Sequence, residues 1–249
     1  MDQVIDKRKK LLGVEHPDTL TSMANLASIY KNQGKWNEAE VMEMRKKLLG
    51  AEHPATITIM AKLAITYRDQ RRWNEAEQLQ VQVMEITNRL LDAEHPQSLN
   101  SMANLASTYK NQGRWNEAEQ LEVQVMEMRK KLFSAEHPAT ITIMANLAIT
   151  YRNQGRWNEA EQLEVQVMKM TKRLLGIDHP DMLNSMANLA STYWNQGRWN
   201  ETEQLQVQVM EMTKKLLGAD HPDVLNSMAN LSTTYWNQAR WNEAEQVLC

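Results

Sequence analysis

The chain has 249 residues, 28 Lys and Arg against 31 Asp and Glu, and a formal net charge of -3. That balance gives none of the strongly basic surface that nucleic acid demands, and 42% hydrophobic residues fit a globular protein rather than a disordered one. A single cysteine, Cys249, excludes an intramolecular disulfide and fits a reducing, cytoplasmic compartment. No run of about 18 apolar residues crosses a membrane, and Met1 to Lys10 contain no signal-peptide core.

Residues 1–15 read as a partial helix, because Val4 to Gly13 matches Val125 to Ser134 further on. Six His-Pro pairs then mark the chain, at His16-Pro17, His53-Pro54, His95-Pro96, His137-Pro138, His179-Pro180 and His221-Pro222. Repeats start near 16, 53, 95, 137, 179 and 221, with a period of 42 residues after a first interval of 37. A fixed period of this size predicts stacked units that bury their apolar faces against one another. All six prolines lie in these pairs, so none interrupts a helix, and no Pro- or Gly-rich linker divides the chain. Residues 1–249 therefore read as one repeat domain. The sixth repeat stops at Cys249 and neither end carries a polar capping helix, which suggests a piece of a longer array or ends that associate.

The first repeat lacks the Gln-Leu-Glu-Val-Gln found at 120–124 of the third. Five residues are about 1.4 helical turns, so the spacing predicts a shorter or distorted helix over Trp36 to Leu49. Repeats two and four share Ala-Thr-Ile-Thr-Ile-Met-Ala, where one, three, five and six carry Ser-Met-Ala. The near-identity of the units speaks of recent duplication.

The third repeat shows the unit. Pro96 suits a first helical turn, where its missing N–H is not needed. Leu99, Met102, Leu105, Ala106 and Tyr109 recur at steps of three and four, which is a helical stripe, and Gly113 ends it. A second helix starts near Trp115 with the stripe Trp115, Ala118, Leu121, Val125, Met128 and Leu132. Trp36, Trp73, Trp115, Trp157, Trp199 and Trp241 accordingly read as core. Glu85/Arg89, Glu127/Lys131 and Glu211/Lys215 read as helical i,i+4 pairs. Glu117 and Glu119 read as helix-start carboxylates. The fold class is all-α: an α-solenoid, a right-handed superhelix of antiparallel helical hairpins.

Asn-Leu-Ala-x-x-Tyr-x-x-Gln-Gly-x-Trp-x-Glu-Ala-Glu resembles the tetratricopeptide signature. The 42-residue length and the His-Pro start are similar to the kinesin-light-chain type of that repeat. The Met-Ala-Asn-Leu-Ala and Arg-Trp-Asn-Glu-Ala-Glu phrasing is similar to repeats of fungal NOD-like receptors. The resemblance implies that the first helix of each hairpin lines a concave groove that grips peptides. In that family an Asn at the matching place bonds the ligand backbone or its C-terminal carboxylate, and here Asn25, Lys62, Asn104, Asn146, Asn188 and Asn230 stand there. The Lys of a carboxylate clamp, four residues upstream, is replaced by Thr21, Thr58, Asn100, Thr142, Asn184 and Asn226, so a carboxylate clamp is not implied.

Six positions on come Lys31, Arg68, Lys110, Arg152, Trp194 and Trp236, a graded basic-to-aromatic edge. An extended acidic segment with an aromatic anchor complements it, and the kinesin-light-chain resemblance points to the same ligand. No catalytic, cofactor or metal site is expected. The histidines are one repeat apart, too far to share a metal, and the carboxylates have no partner base. The chain reads as a non-enzymatic interaction scaffold with a protein or peptide partner, or alternatively as a structural array assembling end to end.

Overall fold

The computed structural model describes residues 7–8, 10–12, 22 and 38–248. From Glu38 on it holds eleven helices and, among the described residues, no strand. In chain order they are α1 (Glu38–Leu49), α2 (Pro54–Asp69), α3 (Trp73–Leu91), α4 (Pro96–Asn111), α5 (Trp115–Leu132), α6 (Pro138–Asn153), α7 (Trp157–Leu175), α8 (Pro180–Asn195), α9 (Trp199–Leu217), α10 (Pro222–Asn237) and α11 (Trp241–Gln246). They fall into two compact units, one ending at Arg114 and one starting at Trp115. Within each unit every helix packs on the next in the chain, so helical hairpins stack one after another as an α-solenoid. The first helices of neighbouring hairpins also touch, α2 with α4 and α6 with α8, which makes the first-helix side the inner side of each stack.

The His-Pro pairs work as helix starts. At His53, His95, His137, His179 and His221 the residue is the N-cap, with Pro in the first turn. Each imidazole Nδ1 accepts the backbone N–H two residues on, at 3.1–3.2 Å. A ring nitrogen thus does what a Ser or Asp oxygen usually does at this position. Among the described residues no three potential ligands gather where a metal ion could sit. Among the described residues, no helix is long and apolar enough to cross a membrane.

The first-helix stripe packs as its spacing predicts: Leu99, Met102, Leu105 and Ala106 are buried, and Tyr109 is half-buried. The second-helix stripe needs correction. Ala118 and Val125 are buried, but Glu122 and Arg129 are buried beside them, while Leu132 is 43% exposed. The tryptophans are not core either: Trp73, Trp115 and Trp199 are half-buried, and Trp157 and Trp241 are 39% and 51% exposed. Each opens its helix at the first position. Trp36 lies outside the described residues.

Arg129 explains its own burial. Its Nη1 donates to the Ala139 carbonyl at 2.7 Å, closing the turn into the next hairpin, and desolvation holds its pKa below the usual value. Arg45 does the same to Ala55 at 3.1 Å. The last turn of α1 is therefore in step with later repeats despite the missing residues. Trp36 and Asn37 lie outside the described residues.

Two of the supposed i,i+4 pairs are made elsewhere. Arg89 pairs with Glu52, and Lys215 with Asp178 at 3.1 Å, in each case the acid of the preceding His-Pro turn. Arg173 pairs with Glu136 in the same way.

Glu119, expected to serve the helix dipole, instead joins two hairpins. Its carboxylate accepts Arg156 Nη1 at 2.6 Å and Gln154 Nε2 at 2.8 Å, both from the next repeat. The same guanidinium lies 4.1 Å over the Tyr151 ring and bonds Glu159 at 2.9 Å through Nε. Burial pulls the Glu119 carboxyl upward, but the Arg156 and Gln154 hydrogen bonds outweigh it and leave its pKa below the usual value. Glu77–Arg114, Glu161–Arg198 and Glu203–Arg240 repeat the clamp at 2.6–2.9 Å.

Candidate peptide-binding clefts

Where first helices lie side by side, a cleft opens between them with the intervening second helix as its floor. Among the described residues such clefts measure about 310 Å³ between α2 and α4, about 500 Å³ between α6 and α8, and about 400 Å³ between α8 and α10. The first two are the same site two repeats apart. Ile57, Ala61 and Ile65 form one wall of the first, and Ile141, Ala145 and Ile149 the same wall of the second. The opposite wall is Asn100 and Asn104 in one, Asn184 and Asn188 in the other.

The sequence-predicted residues fall into three groups. The asparagine position enters the clefts: Lys62 faces Asn104 across the first, Asn146 faces Asn188 across the second, and Asn230 lines the third with Trp194. Among the described residues, no hydrogen bond within the protein occupies the side-chain amides of Asn104, Asn146, Asn188 or Asn230. The basic position behaves differently. Arg152 is spent internally: its Nη1 reaches Glu164 at 3.1 Å and the Asn188 carbonyl at 2.9 Å. Arg68 donates to the Ser107 hydroxyl at 3.3 Å, and Lys110 has a partner within the protein. The basic edge is thus largely consumed by the fold. Trp194 and Trp236 pack edge-on against Trp199 and Trp241, at 5.6 and 4.3 Å between ring centres, and Trp236 remains 64% exposed. Asn25 and Lys31 lie outside the described residues.

Sequence reasoning missed the cleft floor. Glu164, 2% exposed, sits beneath the α6/α8 cleft. Desolvation pushes its carboxyl up to about 7, against the pull of Thr192 and Arg152, and Glu161 adds to the rise. The equivalent Glu122 accepts the Thr150 hydroxyl at 2.6 Å, and Gln206 accepts that of Thr234 at 2.7 Å. It also missed the aliphatic wall. Ile65 and Ile149 stand where Ser107, Ser191 and Thr233 stand in other repeats. The signal is the isoleucine-rich wording of repeats two and four.

The tetratricopeptide-repeat profile matches residues 19–55, 140–181, 182–223 and 224–248, and a second profile of the same repeat matches 39–88 and 62–131. No curated protein matches the sequence. Among solved structures, a kinesin light chain-like protein of Podosopora anserina with nearly identical TPR-like repeats is 32% identical, with a TM-score of 0.71 over 79% of this chain and 92% of that one. BtubC (BKLC) from P. vanneervenii shares the fold at 17% identity, with a TM-score of 0.72 over 92% of this chain and 88% of that one. The signal-transduction ATPase with a tetratricopeptide-repeat sensor from Pyrococcus horikoshii does so at 16% identity and a TM-score of 0.67, over 92% of this chain and 34% of that one. Repeats of this type are generally protein-interaction scaffolds without enzymatic activity. The profile matches and the kinesin light chain-like relative show that the chain belongs to the tetratricopeptide-repeat family.

Proposed function

We propose that residues 1–249 act as one cytoplasmic interaction domain that holds extended peptide segments of partner proteins against its first-helix face. The observation that carries this reading is the set of clefts lined by Asn104, Asn146, Asn188 and Asn230, whose side-chain amides no hydrogen bond among the described residues occupies. An amide that both donates and accepts suits an extended backbone, whose N–H and C=O groups alternate. Asn104, Asn146, Asn188 and Asn230 take that role, with Lys62 offering a cation in the first cleft. Trp194 supplies an aromatic contact beside Asn230. The acidic preference rests on Lys62 alone among the cleft-lining cations, since Arg68, Lys110 and Arg152 are engaged. Joint replacement of Asn146 and Asn188 by alanine tests the reading. Peptide binding is expected to fall while the helical circular dichroism and melting temperature hold. Unchanged binding sinks it.

A second reading, end-to-end association, is favoured by the apolar surface of α10 and α11, where Leu225, Trp236 and Trp241 are all exposed. Light scattering across concentration, with reductant present, tests it. A strict monomer rejects association.

A further inference from the structure

The two isoleucine-walled clefts have one property that folding does not require. The second helix that floors each ends in a leucine pair at the cleft mouth, Leu90 and Leu91 in one, Leu174 and Leu175 in the other. Leu90, Leu174 and Leu175 are 45–46% exposed. Single exposed leucines are ordinary on a protein surface. Here they face a pair of half-buried isoleucines across the same opening, so aliphatic carbon lines both sides of a site large enough for a side chain. Where the first helix carries Ser191 instead, between α8 and α10, the cleft is lined towards Trp194 and its leucine pair takes no part.

Charge sorts the ligand further. No cation lines the α6/α8 cleft, whose ionisable groups are Glu164 and Asp181. The α2/α4 cleft has Lys62 and Glu52, the latter already paired with Arg89. A carboxylate entering the α6/α8 cleft meets Asp181 with no cation on the walls to receive it, and the Arg152 guanidinium beneath is already engaged by Glu164 and the Asn188 carbonyl, which disfavours it.

Resting on the scaffold reading, we propose that these clefts are two equivalent stations. Each takes a leucine- or isoleucine-type side chain of an extended partner segment between the isoleucine wall and the exposed leucine pair, while asparagine amides hold the segment's backbone. The α6/α8 station rejects acidic neighbours and accepts basic ones through Asp181. The α2/α4 station, with Lys62, tolerates acid. One chain therefore carries two ligand segments, with a functional period of two repeats laid over a structural period of one.

Selection of random dodecapeptides on the purified full chain, followed by calorimetry of an enriched peptide, tests this. The expected peptides carry Leu or Ile at a fixed place and bind with a stoichiometry of two. Leu175→Ser or Leu90→Ser, both at exposed positions that leave the fold intact, each lowers it to one, and the Leu175→Ser loss is greater for peptides with a flanking Lys or Arg. Enrichment of acidic, Trp-bearing peptides that ignore both substitutions but are lost with Asn146→Ala and Asn188→Ala overturns the aliphatic stations and leaves the scaffold reading standing. A stoichiometry of one in the unmodified chain overturns the pair of stations. No enrichment over a blank surface overturns the scaffold reading, and this inference with it.

Discussion

Arg152 on the first helix of its hairpin holds Glu164 on the second at 3.1 Å, and the same nitrogen donates to the Asn188 carbonyl of the following hairpin at 2.9 Å. One guanidinium group thereby ties together three helices beneath a cleft. Neither partner of this pair is well exposed, with the Glu164 side chain at 3% and that of Arg152 at 17%. Burial of this kind makes the pair expensive to keep ionised.

Glu164 therefore predicts a pH dependence. Its carboxyl rises from an ordinary value of 4.5 to about 7, with desolvation as the main cause. The folded chain then binds this proton more tightly than the unfolded chain does. Its effect favours the fold below about pH 4.5 and is lost as pH climbs through 7. Glu164→Gln is expected to flatten the stability profile between pH 5 and 8 and to gain up to about 3 kcal/mol at pH 8. Gln206 shows that an amide fits this position, where it accepts the Thr234 hydroxyl. Urea unfolding across that range measures the slope, and an unchanged slope refutes the assignment.

The turn between paired helices predicts a stabilising change. Gly113, Gly155 and Gly197 hold it at φ of 73–77°, but Arg71 and Ala239 occupy the same place at 61° and 59°. A side chain costs roughly 1 kcal/mol or more in that left-handed region. Arg71→Gly and Ala239→Gly should each gain about 0.5–1 kcal/mol, because glycine loses more freedom on folding and so returns less than the full strain. Gly113→Ala should lose a similar amount, and since an added Cβ there meets nothing within 4 Å the loss reports backbone conformation alone. Denaturation midpoints moving in the opposite directions would sink the argument.

The clamp between hairpins predicts coupling. Arg156→Ala removes a charge-assisted bond to Glu119, a contact to Glu159 and the stacking over Tyr151. Both partners are partly exposed, so a loss of about 1–2 kcal/mol is expected rather than the cost of a buried pair. A double-mutant cycle with Glu119→Gln should give a coupling of about 1 kcal/mol. A coupling near zero would mean that the hairpins are held by apolar packing alone.

Much of the fold was legible because it repeats. The His-Pro spacing located the helix starts, and the first-helix stripe named Leu99, Met102, Leu105 and Ala106 as buried. The second-helix stripe was misread because a buried face there accepts Glu122, Arg129 and Glu164, whose partners come from neighbouring hairpins and leave no trace in local periodicity. The site was half legible for the same reason. That Asn146 and Asn188 line a cleft follows from their shared register on the first helices of two neighbouring hairpins. That Arg152 is engaged follows only from Glu164 and a carbonyl of the next repeat, which no single-helix pattern contains.

The Glu119–Arg156 clamp uses residues that later repeats carry at the same places, Glu161 with Arg198 and Glu203 with Arg240. Any such hairpin can therefore dock on any other with its polar joint satisfied. Recombination can shuffle, gain or drop whole units without first evolving a new joint. A cleft, by contrast, is written jointly by two neighbours, so placing unlike units side by side makes a new surface. Stability is carried by what the hairpins share, and recognition is free to follow the order in which they stand.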